Sequence, residues 1–281
     1  MDEDPNSERM TYGNYLGLDE LLSLQNGPNG YYPQPCNDEL HFIIVHQAFE
    51  LWFKLILSEL KEVHKLMNQK NIAEREMPKI VQHLNRVSEV FNLMSQQWRV
   101  METLTPQDFL SFRDRLGTSS GFESWQLRQI ETILGLEKQQ RDAGMDPLKH
   151  MARLAKEGKI SSTILHDFKD LIDAPSLQEL LQKWLARTPI NGSIPDDKND
   201  HQVVLSYLES HLSAMDNHSK SVIKHFTAIG HGDEQSITSR MEKSISQARD
   251  FLMPAGRVNR SRAGLLFIES YRELPLLSGP R

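Results

Sequence analysis

HFIIVHQAFELWFKLILSEL, residues 41–60, decides how this chain folds. Phe42, Val45, Phe49, Trp52, Ile56 and Leu60 recur three or four residues apart, and Val63 and Met67 continue the series. That spacing places all of them on one stripe of an α-helix. The pattern predicts a helix from about Asp38 to Asn68. In front of it, GPNGYYPQPCND (27–38) has the glycine, proline and asparagine content of a loop and offers Asn37 or Asp38 as a cap. One residue interrupts the apolar logic. His46, one turn from Phe42 and one turn from Glu50, flanks the most apolar positions.

Helical period continues outward from this segment. Ile80, Val81, Leu84, Val87, Phe91 and Met94 draw a second stripe between Pro78 and Trp98. LTPQDFLSFRDRL (104–116) opens a third helix, with Thr105 as cap, Pro106 at the first helical position and Asp108 able to close a capping box. SSGFESWQLRQIETILGL (119–136) opens the next with Ser120 as cap and Glu123 three residues on. From Asp142 to Ala255 the pattern weakens. APSLQELLQKWLART (174–188) is amphipathic, NGSIPDDKNDH (191–201) reads as a solvated loop, and residues 203–230 are helical but polar on most faces. SRAGLLFIESYRELPLL (261–277) restores an apolar helix. Convincing alternating strands are absent. The expectation is one all-α domain over residues 1–281, a bundle of long antiparallel helices with a smaller helical excursion at 190–255.

Composition narrows the function. A net charge of −6 gives no general basic surface, so charge supports neither a nucleic-acid nor an anionic-membrane role. Cys36 is the single cysteine, which excludes an internal disulfide and any multi-cysteine metal or iron–sulfur site. MDEDPNSERM is acidic where a signal peptide is basic, and no later apolar run reads as long enough to span a bilayer, so a cytoplasmic protein is expected.

Residue types mark where chemistry resides. His46 at the edge of the stripe is either a core-edge histidine bonded to a neighbouring helix or a pocket donor and acceptor that titrates near neutrality. Arg113, after Phe109 and Phe112, is either a surface arginine paired with Asp114 or Glu102 or a planar fork for a carboxylate. Ser120 is a helix cap whose helix start can face an anion. His211, His218 and His225 recur every seven residues with no interleaved carboxylate at metal-ligand spacing, which reads as a solvated face. A nucleophile elbow and a dinucleotide fingerprint are both missing.

TYGNYLGLDELLSLQ (11–25), NDELHFIIVHQAFELWFKLILSEL (37–60) and QQWRVMETLTPQDFLSFRDRLGTSSGFESWQLRQIE (96–131) together resemble the tryptophan 2,3-dioxygenase family. SLQELLQKWLARTP (176–189) and RVNRSRAGLLFIESYRELP (257–275) are similar to later family segments. The resemblance implies an all-α, homotetrameric, haem-dependent enzyme that inserts both atoms of dioxygen across the indole C2–C3 bond of L-tryptophan, or of a modified tryptophan, to give N-formylkynurenine. It matches His46 to the distal histidine facing the indole nitrogen, Phe42 to an aromatic pocket wall, Arg113 to the substrate-carboxylate clamp, and Phe109 to a neighbouring aromatic position. Ser120 and Gly121 match the segment over the haem edge. Tyr12, Tyr15 and Leu16 match a segment that closes the pocket of an adjacent subunit. The family's proximal histidine lies in a WRxxH motif after the segment similar to LLFIESYRELP, and no residue here matches it, so the metal ligand stays unassigned. Two classes therefore stand open: the haem oxygenase, and a non-catalytic relative that binds an aromatic amino acid or another subunit.

Overall fold

The computed structural model describes residues 10–26, 35–117, 119–137, 145–228 and 233–272. Residues 27–34 of the loop expected over 27–38 and the tail beyond 272 lie outside these residues. Cα packing divides the chain into two compact units, Met1–Ala174 and Pro175–Arg281. Among the described residues there is no strand, only an isolated bridge between Ile190 and Ser193, so the all-α expectation holds.

The first unit contains α1 (Tyr12–Leu16), α2 (Leu18–Ser23), α3 (Asn37–Met67), α4 (Met77–Met101), α5 (Pro106–Phe112), α6 (Trp125–Leu134), α7 (Pro147–Lys156) and α8 (Ser162–Asp173). α3 is its axis. Val45, Phe49, Ile56, Leu60, Val63 and Met67 are buried as their spacing requires, while Phe42 and Trp52 stay half-buried at the edge. The helix begins one residue earlier than expected, with Cys36 at the cap position and no side-chain cap bond. Its 31 residues meet the length and apolarity of a bilayer span, contrary to the expectation that no apolar run does. Along α3, buried glutamates meet cationic partners, as on a helix face that packs against protein. Glu39 pairs with Arg115, and Glu59 accepts from His83 Nδ1 and from Arg86 Nη1, each at 2.6 Å.

α3 and α4 run antiparallel, since Glu59 meets His83 and Arg86 whereas Phe49 meets Trp98, ring centroids 5.0 Å apart. The buried stripe of α4 is Ile80, Val87, Val90 and Met94; Val81, Leu84 and Phe91, expected beside them, face solvent. A period of 3.6 permits both adjacent stripes, and packing against α3 selects one. α5 starts as its sequence predicts, with Thr105 Oγ1 accepting the Asp108 amide at 3.2 Å. It then tightens into a 3-10 turn, Arg113–Leu116. Ser120 caps a single 3-10 turn, Gly121–Glu123, and Ser124 caps α6, so that helix begins later than its first capping signal. Behind it, Met151, Leu154, Ile160 and Phe168 form the core of the α7–α8 hairpin, with Trp125 packed against them.

The second unit contains α9 (Leu177–Ala186), α10 (Asp200–Ala228), α11 (Glu234–Leu252) and α12 (Arg260–Arg272). α10 is no mere excursion, because Val204, Leu208 and Leu212 join Leu252, Met253 and Ala263 in the core. The segment read as a solvated loop is anchored as well. Asn191 and Gly192 take positive φ values of 48° and 82°, the two-residue turn that an Asn-Gly pair favours, and Ile190 beside them is fully buried. Arg260 donates to Asp200 Oδ2 at 2.9 Å and to the Thr188 and Ser193 carbonyls at 3.0 Å, which neutralises a buried carboxylate. Gly264 lets α12 close on α9, since a β-carbon there would stand 2.1 Å from the Leu185 carbonyl oxygen.

The Glu59 cluster predicts a pH dependence. Burial opposes ionisation of Glu59, but the hydrogen bonds from His83 and Arg86 outweigh it and hold the carboxyl below its ordinary value of 4.5. A depressed native value means that the unfolded chain binds more protons in that window, so the contribution is complete above 4.5 and is lost as pH falls through the lowered value. Thermal melts below neutral pH are expected to show a steeper loss of Tm for the parent than for Glu59→Gln, which also melts lower at neutral pH. Parallel curves for the two proteins would remove Glu59 from the acid response.

Candidate functional site

A cavity of about 350 Å³ opens beside α3. α3 contributes Phe42, His46 and Glu50, and the chain leading into α6 contributes Leu116, Ser120 and Gly121. One α-helical turn separates each of the three α3 side chains, so a single face presents an aromatic ring, an imidazole and a carboxylate in sequence. The Phe42 and His46 rings lie 4.1 Å apart. Phe109 and Phe112 support Phe42 from behind at 5.8 and 5.6 Å, and meet each other edge-on at 5.5 Å. Phe112 is buried, so this aromatic group locks the Phe42 wall to α5.

His46 Nδ1 is 2.8 Å from the Phe42 carbonyl oxygen. A carbonyl only accepts, so Nδ1 carries the proton, and in the tautomer this bond selects for an uncharged ring Nε2 is the acceptor. Glu50 is held by Gln126 of α6, whose amide donates to the Glu50 carbonyl at 2.9 Å and to its carboxylate at 2.8 Å. A second cavity, about 530 Å³ and mainly apolar, shares His46, Gln47 and Glu50 and is walled by Leu21, Leu24 and Leu51. There Gln47 ties the N-terminal segment to α3. Gln25 donates to its amide oxygen at 2.7 Å, and Gln47 donates to the Leu24 carbonyl at 3.1 Å.

The structure thus brings Phe42, His46, Ser120 and Gly121 around one cavity and places Phe109 directly behind it. Arg113 lies in the 3-10 turn that supplies Leu116. Its Nη1 donates to the Gly117 carbonyl at 3.1 Å, and its side chain is not part of the cavity lining. It pairs with neither Asp114 nor Glu102. Tyr12 and Tyr15 are each 76% exposed and Leu16 is 44% exposed, so α1 leaves the two tyrosines largely open to solvent. Glu50, Gln126 and Leu116 were not anticipated. Glu50 had a signal, its helical spacing from His46, whereas Gln126 meets Glu50 only through the packing of α6 on α3.

A flat macrocycle needs a wall without projecting side chains, and a β-carbon placed on Gly121 meets nothing within 4 Å. Gly121 and Ser120 fit the edge of such a group. His46 is the sole imidazole in this lining, and among the described residues no group of three His, Cys, Asp or Glu is placed to hold a metal ion. A haem would lie against Ser120 and Gly121, and among the described residues of this lining no imidazole or thiolate besides His46 is present to hold its iron.

Residues 2–280 match the family model described as tryptophan 2,3-dioxygenase. A tryptophan 2,3-dioxygenase of Sorangium cellulosum is 37% identical over 285 residues, covering 97% of this chain and 68% of the relative. Tryptophan 2,3-dioxygenase 2 of Ralstonia nicotianae is 38% identical over 288 residues, covering 97% of this chain and 76% of the relative. The Aedes aegypti tryptophan 2,3-dioxygenase is 33% identical over 281 residues, covering 96% of this chain and 68% of the relative.

Proposed function

The chain belongs to the tryptophan 2,3-dioxygenase family, whose members are oxidoreductases, and from that premise we propose that its α3 cavity takes L-tryptophan for oxidation of the indole C2–C3 bond to N-formylkynurenine. The observation that carries this reading is the His46 tautomer. Indole N–H is a donor with no accepting capacity, and the Nδ1 bond to the Phe42 carbonyl leaves His46 Nε2 as its complement. Phe42, backed by Phe109 and Phe112, supplies the flat apolar wall for the ring. A cavity of about 350 Å³ suits a single amino acid.

Haem, when bound, supplies the activation of dioxygen that the side chains of this cavity cannot perform. The protein's own part is to hold the substrate. His46 accepts the indole N–H, Phe42 fixes the plane of the ring, and Arg113, bonded to Gly117 and outside the cavity lining, would turn toward the ligand to meet its carboxylate. The exposed α1 face fits a lid over the pocket of another subunit in a homotetramer, because Tyr12 and Tyr15 are largely exposed and Leu16 is partly so.

Three measurements test the reading. His46→Ala is expected to weaken binding or turnover of L-tryptophan by about five- to tenfold, the value of one hydrogen bond, and to leave the indole-N-methyl analogue nearly unchanged. An equal effect on both ligands returns His46 to a packing role. Arg113→Ala is expected to raise the Kd for tryptophan by about 10- to 100-fold, with Arg113→Lys recovering only part because the two-pronged geometry is lost. Parent-like binding by both variants removes Arg113 from the site. Light scattering is expected to give a tetramer, and deletion of the first 20 residues to lower tryptophan affinity. A monomer with full affinity would end the lid assignment.

A further inference from the structure

We propose that His150 of α7 is a positioning residue for the cavity, acting through the Phe122 peptide to hold the Ser119–Ser124 wall in the shape that the ligand meets. This rests on the tryptophan-site reading for the identity of the ligand. The wall lacks apolar anchors of its own: residues 119–122 are all exposed, and half of the Phe122 surface faces solvent. Exposed irregular backbone without buried side chains depends on its polar tethers for order.

Backbone bonds close the 3-10 turn at its ends, Glu123 N–H to the Ser120 carbonyl at 2.9 Å and Ser124 N–H to the Gly121 carbonyl at 3.2 Å, and two further tethers meet on the peptide between them. Phe122 N–H donates to Ser120 Oγ at 3.3 Å, and the Phe122 carbonyl accepts from His150 Nε2 at 2.9 Å. The next residue, Glu123, pairs with Lys159 from the turn after α7. Fixing the Phe122 peptide orients the Ser120 hydroxyl, whose oxygen is occupied by Phe122 N–H and whose proton is left for the cavity. The support behind this contact is rigid. Met151 and Leu154, on the buried face of α7, are fully enclosed with Phe168. His150 is therefore the point where a packed hairpin meets a wall that cannot pack itself.

The imidazole is committed to this task. Because a carbonyl accepts only, Nε2 carries the proton, and Nδ1 faces Arg153 Nη2 at 3.4 Å as an acceptor. Burial, reinforced by the cations of Arg153 and Arg128, holds its pKa below the ordinary histidine value, and the Phe122 bond and Glu123 oppose that shift without reversing it. Lys159 and Glu123 lie on the same side as a second, independent tether, so loss of His150 frees the middle of the wall and leaves its end attached.

The test uses the full chain with His150→Leu, which keeps bulk and removes both nitrogens, and His150→Gln, which restores a donor near the Nε2 position. Amide hydrogen exchange is followed across 119–124 and across α3 and α4, and tryptophan binding is titrated by calorimetry. In His150→Leu, exchange in 119–124 is expected to rise about five- to tenfold with α3 and α4 unchanged, and the tryptophan Kd to rise by a similar factor. His150→Gln should recover most of both. Unchanged exchange in the wall, acceleration spread equally over α3 and α4, or faster wall exchange with parent-like Kd each overturn the proposal. If the parent itself fails to bind tryptophan, the tryptophan reading falls, and the exchange pattern alone decides whether His150 positions the wall.

Discussion

A carboxylate buried in an apolar helix must be met by a donor, and this requirement organises the first unit. α3 carries Glu39, Glu50 and Glu59 along its length, with Glu39 and Glu59 only 3% and 7% exposed. An unpaired charge at either position would be costly to desolvate, so each specifies a partner at one register. Glu59 selects His83 and Arg86 of α4, Glu50 selects Gln126 of α6, and Glu39 selects Arg115 in the turn after α5. Apolar stripes allow helices to slide by a turn with modest loss, whereas these contacts do not.

The same contacts shape the cavity. Gln126 fixes the start of α6, from which the Ser120–Gly121 wall runs back toward α5. Arg115 fixes the turn that also bears Arg113 and Leu116. The cavity wall is thereby a consequence of how α3 satisfies its carboxylates, and the aromatic group of Phe42, Phe109 and Phe112 fills the space left between α3 and α5.

Two histidines follow one chemical rule at this wall. His46 and His150 each donate from one ring nitrogen to a backbone carbonyl, which fixes which nitrogen carries that proton. In His46 the bond is within its own helix turn and leaves the opposite nitrogen for a ligand. In His150 it crosses to another segment and carries the position of that segment. Identical bonds serve recognition in one case and support in the other because of where each ring is mounted.

Local pattern determined a large part of this protein. The 3.6 period in residues 41–60 is enough to place α3 within a residue of its observed start, and Thr105 with Pro106 starts α5 where the side-chain chemistry demands. The family motifs named Phe42, His46, Ser120 and Gly121, which the fold gathers around one cavity. What depends on distant partners was not legible. Val81, Leu84 and Phe91 share a stripe as plausible as that of Ile80, Val87 and Val90, and only contact with α3 chooses between them. Residues 203–230 read as polar because the helix buries one narrow line, Val204, Leu208 and Leu212, that composition averages away. Ser120 and Glu123 carry a capping signal, yet Glu123 is drawn to Lys159 and the helix waits for Ser124. Helical period, caps and motifs are set by neighbours within a turn and so belong to the sequence; burial, ion-pair choice and the tether on the wall join residues tens of positions apart, and tertiary packing alone brings those together.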